Sequence, residues 1–245
     1  MDRSVYARMN EQEAEHWWFK ARRDIIRSAM QRIIPLPEHA AILEAGCGTG
    51  GNLQMLSEFG EVDAFEFDDD ARATAEAKSG VTIPFGALPT GIPFEGKRYD
   101  LVGLFDVLEH VEDDCGSLRA LGDHLTDDGV IFVTVPAFQW LWSKHDVSHH
   151  HFRRYCKASL SRTAKDAGLE VVQCGYFNSF LLPVAVGMRA LKKLVGSEAP
   201  DDTMPAPGLN RALYNVFSSE RHLLGRVRMP AGLSVMAILR KRKPA

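Results

Sequence analysis

Residues 41–51 read Ala-Ile-Leu-Glu-Ala-Gly-Cys-Gly-Thr-Gly-Gly, an apolar run that ends in a glycine-rich turn. The apolar part predicts a buried strand, and residues 52–58 after the turn predict a helix. Glycines let a chain turn tightly, and they let a ligand approach the backbone where the helix N-terminus offers free N–H groups. The stretch therefore predicts an α/β sheet with a ligand-binding turn after its first strand.

Strands and helices alternate outward from this turn. The pattern predicts seven strands, at 41–45, 62–67, 81–85, 99–105, 130–135, 169–177 and 233–239. It predicts helices at 11–34, 52–58, 69–78, 113–125, 157–167 and 210–224, and a loop at 196–208. Continuous apolar strands that alternate with helices are typical of a parallel sheet covered on both faces.

The composition is that of an ordinary globular chain of 245 residues, with 45% hydrophobic and 25% charged residues. The four cysteines form no Cys-x-x-Cys pair, so we expect free thiols in a reducing compartment. The first twenty residues lack the apolar segment of a signal peptide, and no run reaches the ~20 apolar residues of a membrane span. These features predict a cytoplasmic protein.

The charge is unevenly distributed along the chain. The formal net charge is −3, which indicates no nucleic-acid partner, yet residues 203–245 contain eight Lys or Arg and one acid, Glu220. Such a basic end is typical of an anionic partner or a membrane surface, and equally of a solvated face.

A single acid after the second strand points to a nucleoside-containing cofactor. Glu66 lies twenty residues after Gly46, where a carboxylate can accept hydrogen bonds from both hydroxyls of a ribose. Gly46, Gly48 and Gly51 also fit the dinucleotide pattern G-x-G-x-x-G, so the spacing leaves an NAD-linked oxidoreductase or epimerase open. A binder without catalytic activity is a further alternative.

Three segments resemble class I S-adenosylmethionine-dependent methyltransferases. Residues 44–50 (EAGCGTG) resemble the first motif of that family, 99–110 (YDLVGLFDVLEH) its fourth-strand motif, and 121–136 (LGDHLTDDGVIFVTVP) its helix, turn and fifth strand. The resemblance implies a Rossmann-like, seven-stranded mixed sheet. Its last strand, 233–239, would be antiparallel and adjacent to the sixth. The implied cofactor is S-adenosyl-L-methionine, with S-adenosyl-L-homocysteine as product.

The resemblance also implies a set of cofactor contacts. They are Glu44, Gly46, Cys47, Gly48, Gly50, Glu66, Phe67, Ala87, Leu88, Phe105 and Asp106. In this interpretation Glu44 lies near the ammonium of the methionine part, usually through water, and the glycine backbone lines that part. Glu66 holds the ribose, Phe67 flanks the adenine, and a backbone contact at Ala87 replaces the acid that the family often has there.

Two outer segments resemble a bacterial subgroup, of type 11/23, that is often associated with cell-surface glycans or polyprenyl lipids. They are 16–23 (HWWFKARR) and 151–155 (HFRRY). The resemblance implies that Trp18 and Arg22 close over the cofactor, with Arg22 on its carboxylate in bidentate geometry. Alternatively, Trp17 and Trp18 only anchor their helix to the core. The implied acceptor is a small molecule or a lipid- or glycan-linked group.

A histidine-rich loop follows the predicted fifth strand. Because ligands bind outside the carboxyl ends of strands in open sheets, this loop is expected to border the acceptor. The candidate acceptor contacts are His145, His150, Arg154 and Tyr155, and the candidate catalytic bases are His151 and His110. Adjacent histidines do not share a helix face, so no metal site is predicted. A polar loop with structural ion pairs is the alternative.

The chain is expected to divide into three parts. These are an N-terminal helical lid at 1–39, a methyltransferase core at 40–178 and 232–242, and a helical insertion at 179–231. Residues 180–195 (FLLPVAVGMRALKKLV) mix apolar with basic side chains. Region 180–228 is therefore a candidate for peripheral membrane contact at the inner face, for a lid, or for the contact surface of a homodimer.

Overall fold

The structure is a computed structural model that describes residues 3–195 and 204–242. Its strands are β1 (Ala40–Ala45), β2 (Gly60–Phe65), β3 (Tyr99–Phe105), β4 (Leu125–Pro136), β5 (Leu169–Phe177) and β6 (Ser234–Lys241). Its helices are α1 (Arg3–Gln12), α2 (Trp17–Ile33), α3 (Leu53–Leu56), α4 (Asp69–Ser79), α5 (Asp114–Asp123), α6 (Lys144–Ser148), α7 (Lys157–Asp166), α8 (Leu182–Val195) and α9 (Pro207–Ser219).

The strands form one sheet in the order β2-β1-β3-β4-β6-β5. The pairs β2–β1, β1–β3 and β3–β4 are parallel, whereas β6 runs antiparallel to both β4 and β5. The Rossmann-like mixed sheet with a reversed last strand is therefore confirmed.

The sheet has six strands and not the seven predicted. Residues 81–85 form only an isolated parallel bridge, between Glu66 and Phe85. The segment has few backbone N–H groups left to pair with β2. Pro84 has no N–H, and the N–H of Ile83 donates to Glu76 Oε1 at 2.8 Å. The segment still follows β2 closely enough to border the ligand site.

Two further predictions change, one for the N-terminal helix and one for the loop before α9. The predicted helix over 11–34 begins only at Trp17, where the His16 side chain accepts the N–H of Trp18 at 3.3 Å and caps it. A separate helix, α1, precedes it. The predicted loop at 196–208 lies outside the described residues as far as 203, and α9 begins within its remaining part, at Pro207.

Helices cover both faces of the sheet. On one face α2 buries an apolar stripe that includes Ile25, Ile26 and Met30, and α9 packs beside it through Phe217. On the other face α5 and α7 pack against β3, β4 and β6. Fully burying each isoleucine contributes about 1.5–3 kcal/mol. This packing brings the N-terminal part of α2 to the carboxyl ends of β3 and β4, where Arg22 contacts Asp106 and Thr134.

The predicted division into three parts stays a prediction. Helices α1 and α2 lie within 1–39, and α8 and α9 lie within 179–231. In the parts of the chain that the structure describes, no helix has the length and apolar character needed to cross a membrane.

Candidate cofactor and acceptor site

One cavity of about 1280 Å³ lies at the carboxyl ends of β1, β3 and β4. It continues from the glycine turn, under α1 and α2, to the histidine-rich loop and the inner side of α8 and α9. Ligand pockets commonly measure about 300–1,000 Å³, so this cavity has room for a cofactor and a second molecule.

The glycine turn forms the floor at one end of the cavity. Gly46 and Gly48 have φ of +72° and +55°, a region that glycine adopts without strain. A Cβ at Gly46 would come within 2.9 Å of Val107 Cγ2, so no larger residue fits there. The backbone of Gly46, Cys47 and Gly48 lines the cavity as the resemblance implies.

Glu66 lies at the end of β2 and braces this turn. Its Oε2 accepts the N–H of Gly48 at 2.8 Å, and its Oε1 accepts the N–H groups of Phe67 and Asp68 at 2.9 and 3.0 Å. The carboxylate is 5% exposed and lines the cavity. It is held in position to accept ribose hydroxyls.

Glu44 is buried below the turn with part of its carboxylate unused. Asn52 Nδ2 donates to Oε1 at 2.8 Å, while Oε2 has no hydrogen-bond partner among the described residues. Burial raises the pKa of Glu44 to about 8, and the nearby Glu66 and Glu13 add to the rise. A cationic group bound in the cavity would relieve this cost.

Arg22 carries the complementary unused donor. It is 5% exposed, forms an ion pair with Asp106 and donates from Nη2 to Thr134 Oγ1. Its guanidinium lies 4.9 Å from the Trp18 ring centroid. Buried Nη1 has no partner within the described ranges, so Arg22 can still receive a carboxylate. Sequence reasoning did not foresee the pairing of Arg22 with Asp106.

Asp106 lies at the end of β3 in a strained conformation. Its φ is +56°, which residues other than glycine rarely adopt and which is often found at functional sites. Burial raises the pKa of Asp106, while Arg22 and His151 oppose the rise. Phe105, next to it, also lines the cavity.

Aromatic and apolar residues lie next to Glu66, where the resemblance puts the adenine, and Phe67 is one of those that line the cavity. Phe67 and Phe85 are 66% and 52% exposed, and their ring centroids are 5.5 Å apart. Ala87 and Leu88 line the cavity as well.

Helix α1 and Glu13, which directly follows it, cover the glycine turn, and no sequence pattern predicted their contacts. Glu13 accepts from Thr49 Oγ1 at 2.8 Å, forms an ion pair with Lys78, and would clash with a Cβ at Gly51. Tyr6 lines the cavity nearby, and burial together with the charge of Glu66 raises its pKa. A charged residue beside a short helix, such as Glu13 after α1, is too common a pattern to identify such a contact in advance.

The histidine-rich loop closes the other end of the cavity. Asp146, fully buried, accepts from Arg154 Nε and Nη2 at 2.6 and 2.9 Å, and lies 2.9 Å from His151 Nδ1. Burial opposes ionisation of Asp146, but the hydrogen bonds from His151 and Arg154 hold its pKa well below the usual range. An ionised Asp146 makes His151 Nδ1 the protonated nitrogen and leaves Nε2 as the basic one.

Three other imidazoles surround His151. The ring centroid of His110 is 4.5 Å from that of His151, and those of His145 and His149 are 6.1 and 5.8 Å away. Burial, then the neighbouring histidines, lowers the pKa of His110 to about 3 and that of His145 to about 4. These two rings are neutral at physiological pH.

Most predicted residues meet at this cavity, with two exceptions. Trp18, Arg22, Glu44, His110, His145, His150, His151 and Arg154 line it together with the cofactor residues discussed above. Among the described lining residues Gly50 and Tyr155 are absent. Gly50 instead packs against Ala75 of α4, and the Tyr155 hydroxyl donates to Asp114 at 2.9 Å. Glu109 lines the cavity beside His110, and sequence reasoning missed it.

A glycine turn, a buried acid after the second strand and a reversed last strand together are typical of the class I methyltransferase architecture. A family model described as a methyltransferase domain matches residues 17–174. The chain belongs to this family, the S-adenosylmethionine-dependent methyltransferases.

Known proteins similar to this chain support that assignment. The chain is 25% identical over 170 residues to a protein of Mycobacterium tuberculosis named as a probable S-adenosylmethionine-dependent methyltransferase, found in two strains. The match covers 68% of this chain and 61% of that relative, so the chain accounts for about three fifths of the relative's length.

Solved structures share the fold. One is from the complex between the Haloferax volcanii Trm112 methyltransferase activator and its methyltransferase, with a TM-score of 0.65, 16% identity, and 99% and 96% of the two chains covered. Another is the [4+2]-cyclase SpnF, with a TM-score of 0.56, 14% identity, and 90% and 82% covered. That enzyme is named as a cyclase, so the same fold also serves a reaction other than methyl transfer.

Proposed function

We propose that this protein transfers the methyl group of S-adenosylmethionine to an amphiphilic acceptor, a lipid- or glycan-linked molecule. The observation that carries the proposal is the unused pair of charged groups in one cavity. Glu44 Oε2 and Arg22 Nη1 are buried without partners in the described chain, and they suit an ammonium and a carboxylate. The methionine part of the cofactor carries both of these groups.

The cofactor residues have distinct roles in this proposal. Arg22 receives the carboxylate, and Glu44 attracts the ammonium. Glu66 accepts the ribose hydroxyls, and the backbone of Gly46 to Gly48 lines the methionine part. When bound, the cofactor supplies a methyl group already activated by a sulfonium. The protein then mainly has to align the acceptor and exclude water.

His151 is proposed as the base that meets the acceptor. Transfer to an O–H or N–H group releases a proton, which a histidine with a basic Nε2 can take. Asp146 holds this tautomer at 2.9 Å, and Arg154 holds Asp146 in turn. His110 is a weaker candidate, because its lowered pKa of about 3 makes it a poor proton acceptor. His145 and His150 are proposed to border the acceptor.

The amphiphilic character of the acceptor is proposed from helices α8 and α9. Val184, Met188 and Leu209 line the cavity and are 50%, 55% and 56% exposed. Helix α9 packs on α2 and contacts it through Asn210, which accepts the N–H of Trp17 at 2.9 Å. An apolar wall that is open to the outside can receive a hydrocarbon chain while the polar head reaches His151.

Region 180–228 is further proposed to touch a membrane surface. Arg226 and Arg228 are exposed beside Val227, so basic charge and apolar surface lie together. This combination favours anionic lipid. A lid or a homodimer contact would use the same apolar surface, and both are outcomes of the test below.

Isothermal titration calorimetry with S-adenosylmethionine and with NAD tests the cofactor. We expect binding of the first only, and binding of NAD instead would contradict the proposal. Transfer of a labelled methyl group is then measured with a membrane lipid extract and with a water-soluble extract as acceptor pools. Label in the lipid fraction is expected, and label only in the water-soluble fraction would contradict an amphiphilic acceptor.

Vesicle flotation tests the membrane contact. Vesicles with and without anionic phospholipid are compared at low salt, where electrostatic attraction is strongest. Binding only to anionic vesicles is expected. No binding, with a dimer by light scattering, would assign the apolar surface to a second copy. No binding with a monomer would leave a lid over the cavity.

A further inference from the structure

Three potential metal ligands from two loops meet at the acceptor end of the cavity. Glu109 and His110 lie in the single turn after β3, and His151 lies in the loop after β4. One ligand atom from each lies within 4.8 Å of the others. Around a tetrahedral zinc, bonds of about 2.0–2.1 Å put ligand atoms about 3.3 Å apart, so small side-chain rotations would close the set.

Glu109 is the residue that the methyl-transfer proposal leaves without a role. It is 1% exposed, it lines the cavity, and its Oε2 has no hydrogen-bond partner among residues 3–195 and 204–242. Burial raises the pKa of Glu109 well above the usual range, and the charge of Asp106 adds to the rise. A buried carboxylate oxygen without a donor is costly unless a cation completes it.

Both histidines have the outer contacts that metal-binding histidines use. Ligating imidazoles usually bond through their second nitrogen to a carboxylate or a backbone carbonyl, which fixes the ring. His151 Nδ1 lies 2.9 Å from Asp146, and His110 is hydrogen-bonded to the backbone of His149.

The site also has open space on the cavity side. All three residues line the same cavity that holds the proposed acceptor position. A site with three protein ligands and an open position is typical of catalytic zinc, and two histidines with one glutamate form one of the common ligand sets.

We propose that Glu109, His110 and His151 bind a divalent transition-metal cation of the zinc type at the acceptor end of the cavity. This inference reverses the absence of a metal site expected from the sequence. Adjacent histidines argued against a site within the loop, but the ligands come from two loops that the sheet brings together.

The inference deepens the proposed function and rests on it for the role of the ion. A bound cation would polarise an acceptor hydroxyl and lower its pKa, so its proton could pass to water or buffer at the open side of the cavity without a protein base. His151 would then act as a ligand through Nε2 and not as the base. The remaining cofactor roles are unchanged.

Titration of untagged protein with Co²⁺, followed by visible absorption, tests the site. We expect one Co²⁺ per chain, with the visible bands of a low-coordinate site, and displacement by Zn²⁺. Glu109→Gln, His110→Asn and His151→Asn should each weaken binding roughly a hundredfold, since changes to outer contacts alone cost about 10- to 100-fold. No binding by the unchanged protein would overturn the proposal.

His145→Asn is the matched control, because its ring is in the same cluster but outside the ligand set. It should bind Co²⁺ as the unchanged protein does, and equal loss in this variant would overturn the assigned ligands. Calorimetry with S-adenosylhomocysteine in the presence of a chelator is run on every variant. Retained binding shows that each variant is folded. It also separates the two proposals, because cofactor binding without Co²⁺ binding rejects only the metal site.

Discussion

Asp146 differs from Glu44 and Arg22 in how its buried charge is neutralised. At the acceptor end Asp146 is fully buried, yet Arg154, His151 and Ser143 supply every hydrogen bond that its carboxylate needs. At the cofactor end Glu44 and Arg22 each retain an unpartnered buried atom. A buried charged group whose hydrogen bonds are all made within the protein holds the surrounding residues in place. A buried charged group with an unpartnered atom can still bind a ligand.

The same contrast has a consequence for stability. Buried groups that are fully paired keep the fold together, and removing one leaves its partners without compensation. Buried groups that are incompletely paired reduce stability in the absence of ligand, and binding restores it. Replacing Asp146 should therefore lower the stability of the protein, whereas removing the charge of Glu44 should raise it.

The largest effect is expected for Asp146→Ala. The change leaves the buried guanidinium of Arg154 without its partner, which typically costs about 3–5 kcal/mol of stability. Urea unfolding followed by circular dichroism measures the loss. Glu58→Ala, which breaks the half-exposed pair with Arg27, is the control and should cost under about 1 kcal/mol. Equal losses of stability in the two variants would contradict the structural role assigned to Asp146.

The cofactor end could be predicted from the sequence because its geometry is local. Residues 41–51 contain a strand, a turn and the start of a helix in one segment, and Glu66 follows the next strand along the chain. Backbone contacts made by a glycine turn depend little on distant side chains. The fold, and the meeting of most of the predicted residues at one cavity, therefore followed from motifs.

The side-chain pairings within the cavity could not be predicted because the partners are distant in sequence. Glu109 meets His151 across 42 positions, and Arg22 meets Asp106 across 84. No periodicity encodes such pairs in a single sequence. Tyr155 illustrates the resulting error, since its neighbours line the cavity while its own hydroxyl turns to Asp114. The predicted third strand, 81–85, was wrong for a local reason, the missing N–H of Pro84.

Glu44→Gln is predicted to stabilise the protein, the opposite sign to Asp146→Ala. The folded-state pKa of Glu44 is about 8, above its ordinary value of 4.5, so the folded state binds the extra proton between these values. Stability of the unchanged protein is therefore lost as pH rises from about 4.5 through 8. The variant should be more stable above pH 8 by up to about 5 kcal/mol, with equal stability near pH 4.

Thermal and urea unfolding across this pH range measure the difference. A second readout links Glu44 to the cofactor, because a bound ammonium favours the ionised carboxylate. Calorimetry at pH 7 in two buffers of different ionisation enthalpy should show proton release when S-adenosylhomocysteine binds. The release should be absent in Glu44→Gln, and its persistence would assign the proton to another group.

Glu66→Ala should mainly affect cofactor binding. The loss of charged hydrogen bonds to the ribose is expected to weaken affinity by about 1–3 kcal/mol. The variant also removes the acceptor of three backbone N–H groups, those of Gly48, Phe67 and Asp68. A control at a nearby acid is therefore needed. Asp69→Ala removes an acid whose side chain is 80% exposed. Calorimetric affinity that is unchanged in Glu66→Ala would remove Glu66 from the site.

The smallest effect on stability is expected for Met188→Gln, which tests the outer wall of the acceptor end. Met188 is 55% exposed, so the change should alter unfolding free energy by no more than about 0.5 kcal/mol. If a hydrocarbon chain covers this side chain, losing the contact should cost about 1 kcal/mol of acceptor binding, roughly a fivefold rise in KM. Arg226→Gln is the control for charge, and should lower vesicle binding without changing the KM for acceptor in detergent. An unchanged KM in Met188→Gln, with cofactor affinity intact, would mean that the acceptor does not reach α8 and that the apolar wall serves another contact.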